Sequence, residues 1–168
     1  MSLRGICEWL STTPGSVAIH ESVWAYPIIE SLHVLFLCLF AGVILMWDLR
    51  LMGLVLRRTP VSEMSVRVLP WAVAGFIVMA ITGTLLVYQE PMRAYENPFF
   101  RAKALMLILA GVNVFVFHRT IGRRIPKWDV DLVPPPRARL AGGVSLSLWA
   151  MIIVCGRLIA YNWFSGAH

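Results

Sequence analysis

Four long apolar runs, separated by short stretches rich in proline and arginine, dominate the chain, and none of them alternates apolar with polar residues. An unbroken run of about 20 apolar residues can cross a bilayer as a helix, and hydrocarbon allows little else, because every backbone N–H and C=O there needs a partner within the protein. Strands of a membrane barrel would show a two-residue period instead. The pattern therefore predicts an all-α integral membrane four-helix bundle. Its first span is expected at about residues 28–56. Pro27 suits the helix start, the run from Ser31 to Trp47 crosses the membrane, and the last turns to Leu56, with Asp48 and Arg50, emerge into the headgroup layer. The second span is expected at about 70–89, opening on Pro70-Trp71, the third at about 99–120, ending at His118-Arg119, and the fourth at about 140–163. Small residues on the second and fourth runs, Gly75, Gly83, Gly142, Gly143, Ser145, Ser147 and Gly156, offer close helix approach. Residues 16 to 25 read as a short helix on the membrane surface. With no internal repeat, residues 1–168 form a single transmembrane domain.

Charge orients the bundle. Four arginines lie between Asp48 and Arg67 and six Lys or Arg between Arg119 and Arg139, whereas the remaining segments together hold five. By the positive-inside rule the two basic loops face the cytoplasm of a bacterial inner membrane, and both termini and the Gln89 to Pro98 loop lie on the periplasmic side. Trp24, Tyr26, Tyr88, Tyr161 and Trp163 then form an outer aromatic belt. The net charge of +6 does not indicate nucleic acid, since the basic residues punctuate apolar runs and form no aromatic-laced patch. The first 27 residues lack a continuous apolar stretch with a cleavage site, so the first span is expected to serve as its own signal. Cys7, Cys38 and Cys155 have no metal-type spacing and read as packing residues, as do the eight scattered methionines.

Ionisable groups inside a span are expensive and need a partner or a purpose. At ~1.5 Å per residue, His33, Lys103 and Arg157 each lie roughly 6 to 9 Å below the outer ends of their spans, so they share a level. Glu30 sits one turn above His33, and Tyr88, Arg101 and Tyr161 crowd just above, with Thr82 and Thr84 nearby. This set suits a haem b: neutral His33 as axial ligand, Arg157 or Arg101 facing the propionates, Phe36 and Phe99 walling the ring, and His20 or Lys103 in the sixth position. His118 falls roughly 20 Å deeper and cannot share an iron with His33; it reads as an interfacial histidine or a second, inner site. Asp48 with Arg50 or Arg67 reads as an ion pair locking the inner helix ends. No Ser/His/Asp set, phosphate loop or carboxylate pair at common depth supports hydrolysis or phosphoryl transfer.

Ile29-Glu-Ser-Leu-His-Val-Leu35, Asp48-Leu-Arg-Leu-Met-Gly53, Asn97-Pro-Phe-Phe-Arg-Ala-Lys103 and Gly156-Arg-Leu-Ile-Ala-Tyr161 resemble an uncharacterised family of four-helix bacterial membrane proteins, over most of the chain. More distantly, Leu32-His33 in the first span, and Lys103 followed by Phe117-His118 in the third, resemble the copper-resistance protein D and HemJ-type protoporphyrinogen oxidase group. That resemblance covers two helices and implies a b-type haem on the first-helix histidine, with the third-helix lysine also important, which carries over to His33 and Lys103. The rest of the HemJ pattern has no clear counterpart, so porphyrinogen oxidation is not implied. The leading expectation is an electron-transferring haem b protein of the inner membrane with a redox partner. Its rivals are a copper-handling protein using His33, His20, Glu30 and nearby Met, and a non-catalytic subunit of a larger membrane complex. Glycine faces on spans two and four would also permit homo-oligomers.

Overall fold

A computed structural model describes residues 3–159 and 161. Seven α-helices follow one another: α1 (Leu3–Ser11), α2 (Pro14–Glu21), α3 (Ala25–Leu51), α4 (Val61–Gln89), α5 (Pro91–Glu96), α6 (Pro98–Thr120) and α7 (Pro136–Ile159), with a 3₁₀ turn at Gly122–Lys127 before α7. Among the described residues there is no strand. Helices α3, α4, α6 and α7 are long and apolar enough to cross a membrane. Large apolar side chains stand exposed on their outer faces, Leu35, Phe76, Ile108 and Val154 among them, as lipid-facing positions require.

The spans pack as a row rather than a closed ring: α3 lies against both α4 and α7, and α7 lies against α6, while α4 and α6 do not pack on each other. Side chains close the centre. Phe40, Ala72, Met79, Met106, Ala110, Trp149 and Ile152 form one buried cluster drawn from all four spans, with Trp149 edge-on to Phe40 at 4.6 Å. A second cluster, Leu51, Val61, Phe117, Trp128 and Ala138, seals the end that carries the two basic loops. At the opposite end α1 packs on α5, and α2 packs on α3 and α4.

Several boundaries differ from those the sequence predicts, each for a local reason. Helix α3 stops at Leu51 instead of continuing to Leu56. Gly53 adopts φ 73°, and the bonds Gly53 N–H to Arg50 O (3.0 Å) and Leu54 N–H to Leu49 O (2.9 Å) close a Schellman turn. A side chain at Gly53 would be strained and would also meet Pro134 Cδ at 3.1 Å. Helix α4 starts at Val61, nine residues before the expected Pro70, which lies inside it. Its extra turns sit at the basic end, where Arg67 bonds Glu63 at 2.7 Å. Helix α6 opens on Pro98, with the Asn97 side chain accepting from Phe99 N–H at 2.9 Å. Helix α7 opens on Pro136, earlier than residue 140, and is described to Ile159; Trp163 and the expected end of this span lie outside the described residues. The surface helix expected at 16 to 25 is α2, displaced toward the N-terminus by Pro14 at its first position, and α1 precedes it.

One cap reaches across the chain. Asp129, in the loop before α7, accepts from Ser62 N–H (2.7 Å) and Ser62 Oγ–H (2.6 Å), so a carboxylate satisfies an orphan donor at the N-terminus of α4. These bonds hold its pKa below the ordinary 3.8. A depressed carboxyl stabilises the fold above its unfolded pKa and loses that contribution as pH falls through the lower folded value. Asp129→Ala is therefore expected to cost about 1 kcal/mol at neutral pH. In detergent melts the gap between wild type and variant should shrink as pH drops below about 4; a gap unchanged down to about pH 2 contradicts the cap.

Candidate functional site

The half of the bundle away from the basic loops holds His33 of α3, Thr82 of α4 and Lys103 of α6, with Gly156 of α7 against the lysine. His33, half-buried on α3, faces α4 with Nδ1 2.8 Å from Thr82 Oγ1. Thr82 donates its own hydroxyl proton to Val78 O at 2.7 Å, as membrane threonines do, so toward His33 it acts as acceptor. In the Nδ1–H tautomer the imidazole donates to Thr82 and leaves the Nε2 lone pair to another partner. The ring packs down on Gly83, where a methyl group would stand 3.1 Å from Cε1. Lys103, half-buried on α6, lays its ammonium against Gly156 of α7, where a methyl would stand 3.4 Å from Nζ. Its charge lies within electrostatic range of both His33 and Cys155. Small residues on α4 and α7 thus let a histidine and a lysine pack against neighbouring spans.

Other expected members take different positions. Glu30 is exposed beside Tyr26 and acts on His33 only through space. Arg101 donates from Nε (3.1 Å) and Nη2 (2.9 Å) to Tyr95 O and stacks on the Tyr95 ring. Arg157 is exposed, its guanidinium 5.8 Å from the centre of the Tyr161 ring. Tyr88 anchors α2: its hydroxyl bonds Thr13 Oγ1 at 2.6 Å, and buried Ser16 donates to Tyr88 O at 2.9 Å. His20 is exposed on α2. His118 is exposed at the far end of α6, its Nδ1–H donating to Val114 O at 2.9 Å and its ring edge-on to Phe117. Among the described residues no three His, Cys, Asp or Glu side chains converge as a metal-holding group.

The ion pair expected at the inner ends is not formed. Asp48 and Arg50, two residues apart on a helix, point to opposite sides, and both are fully enclosed, at 2% and 0% exposure. Arg50 donates instead to the carbonyls of Thr59 (3.0 Å) and Asp131 (3.3 Å), tying both basic loops to the end of α3, while Arg67 pairs with Glu63. Asp48 faces Ser145 of α7, and its Oδ2 has no hydrogen-bond partner. The signal in the sequence was the Gly142/Ser145 spacing, three residues apart on one face of α7, which admits a polar neighbour at close range.

The family model described as "Family of unknown function (DUF6644)" matches residues 15–162, which takes in all four spans and the His33, Thr82 and Lys103 level. The chain belongs to this family. The DUF6644 match begins within α2 and leaves α1 outside it. No curated protein and no solved structure matches the chain.

Proposed function

We propose that this membrane protein binds haem b through His33 in the outer third of the bundle and passes electrons to a redox partner in a bacterial inner membrane. The observation that carries the reading is the His33–Thr82 bond at 2.8 Å. Metal-ligating histidines are held this way, one ring nitrogen donating to a neighbouring oxygen and the other presenting its lone pair. The fit rests on the donor chemistry: a haem asks the protein for one or two axial nitrogens, and one anchored imidazole with a nearby lysine supplies that set. The copper reading, with His33, His20, Glu30 and nearby Met, has less support, since among the described residues no three His, Cys, Asp or Glu side chains group as a metal site.

When bound, the group supplies a one-electron iron couple. His33 presents Nε2, Thr82 fixes the ring orientation and tautomer, and Gly83 leaves room for the ring against α4. Lys103 provides either a second nitrogen or a cation facing a propionate, and Arg101 and Arg157 lie toward the same end of the bundle. The distant resemblance to the copper-resistance protein D and HemJ-type group, at Leu32-His33 and Lys103, points the same way. The ten cations in the two basic loops support an orientation with those loops in the cytoplasm.

Visible spectra of protein purified in detergent after expression with haem supply test the reading. A Soret band that shifts on dithionite reduction is expected, and His33→Ala should abolish it. Thr82→Val should retain the fold but reduce haem occupancy by about tenfold, the usual effect of removing a partner that orients a ligand. Colourless wild-type protein, or an unchanged spectrum in His33→Ala, defeats the proposal.

A further inference from the structure

The basic end of the bundle contains a cleft of about 980 Å³ between the last turn of α6, the 3₁₀ turn and the first turn of α7. Arg119, Arg123, Arg124, Lys127 and Arg137 line it, and no carboxylate does. Among the described residues, none of these cations belongs to an ion pair; the three pairs formed are Arg4–Glu8, Arg67–Glu63 and Arg93–Glu90. Asp129, next to Trp128 in the sequence, turns its carboxylate to Ser62 of α4. The cleft therefore gathers five positive groups; Arg119 stacks on the Phe115 ring at 4.9 Å, and among the described residues no carboxylate offsets the charge of any of the five.

We infer that this cleft binds the phosphodiester headgroup of an anionic phospholipid. Its height supports a lipid source: α6 ends at Thr120 and α7 begins at Pro136, so the cleft lies where the hydrocarbon stops and lipid phosphates begin. Its chemistry suits a phosphate, because guanidinium groups offer paired donors to two phosphate oxygens, and four of the five cations are arginines. Its floor is firm, since Trp128 is 7% exposed and belongs to the buried cluster with Phe117 and Ala138. Basic clefts between the ends of membrane helices hold anionic headgroups for these reasons. The inference is independent of the haem reading, because the cleft lies at the opposite end of the bundle from His33.

The test titrates the purified full chain in neutral detergent with phosphatidylglycerol, phosphatidylcholine or inorganic phosphate, reading binding by native mass spectrometry and stability by thermal melts. Phosphatidylglycerol is expected to bind at least about tenfold more tightly than phosphatidylcholine and to raise the melting temperature. The triple variant Arg123→Gln/Arg124→Gln/Lys127→Gln should lose that preference by about tenfold or more. Arg57→Gln/Arg58→Gln, which removes two cations from the other basic loop, should change it by less than about twofold. Equal loss in both variants, or no loss in the triple variant, overturns the assignment. Displacement of phosphatidylglycerol by millimolar inorganic phosphate, with the same stabilisation, would give the cleft to a free anion and also overturn it. Should the triple variant fail to fold, the wild type still decides: a headgroup held by charge must weaken as salt rises from about 0.1 to 1 M, and salt-independent binding rejects the inference.

Discussion

Arg50→Ala is expected to lower stability by about 3 kcal/mol, the largest effect of any single polar truncation in this chain. The guanidinium is wholly enclosed and donates to Thr59 O and Asp131 O, one carbonyl from each basic loop. Hydrogen bonds from a charged donor are worth roughly 1.5–3 kcal/mol each, and both are lost together with the packing of the enclosed side chain. Lysine should recover less than half of the loss, because a single ammonium cannot reproduce the planar fork that reaches both carbonyls. Denaturation by sodium dodecyl sulfate in mixed micelles measures this directly. A loss under about 1 kcal/mol would show that the loops hold without the clamp.

Gly142→Leu is expected to be comparably severe, about 3 kcal/mol, through overpacking. A methyl at Gly142 would already stand 2.9 Å from Asp48 O and 3.1 Å from Leu51 Cβ, and the first of these is backbone, which cannot rotate aside. Here α7 crosses the last turn of α3 with nothing between them. Gly143 supplies the control: at its Cβ position the nearest atom is Met52 Cε, 4.0 Å away and at the end of a flexible side chain. Gly143→Leu should stay within about 0.5 kcal/mol of wild type, since lost glycine flexibility offsets minor crowding. If the two leucine variants melt together, the close crossing does not govern assembly.

The fold was legible because lipid leaves so few options. Unbroken apolar runs dictate spanning helices, and a run is visible in one dimension. Helix ends were harder, because they depend on contacts the run does not contain. Leu56 looked helical until Gly53 turned the chain left-handed, and Pro70 looked like a start although α4 receives its cap from Asp129, 67 residues away. For the site, depth counting puts His33, Lys103 and Arg157 at one level with Thr82 nearby; the structure bonds His33 to Thr82 and leaves Arg157 exposed beside the Tyr161 ring. It could not say which way a side chain points around its helix, and that is why Arg101, Arg157 and Tyr88 lie on carbonyls, rings and a surface helix. Sequence proximity suggests an Asp48–Arg50 pair, but an offset of two residues is close to half a helical turn, so adjacency in the chain is opposition in space.

The row arrangement of the spans sets an order of biogenesis. The first two spans are mutual neighbours and can leave the translocon as a finished hairpin. Among the spans the third packs only on the fourth, so the Lys103 side chain gains its packing against Gly156 only once the fourth span is in place.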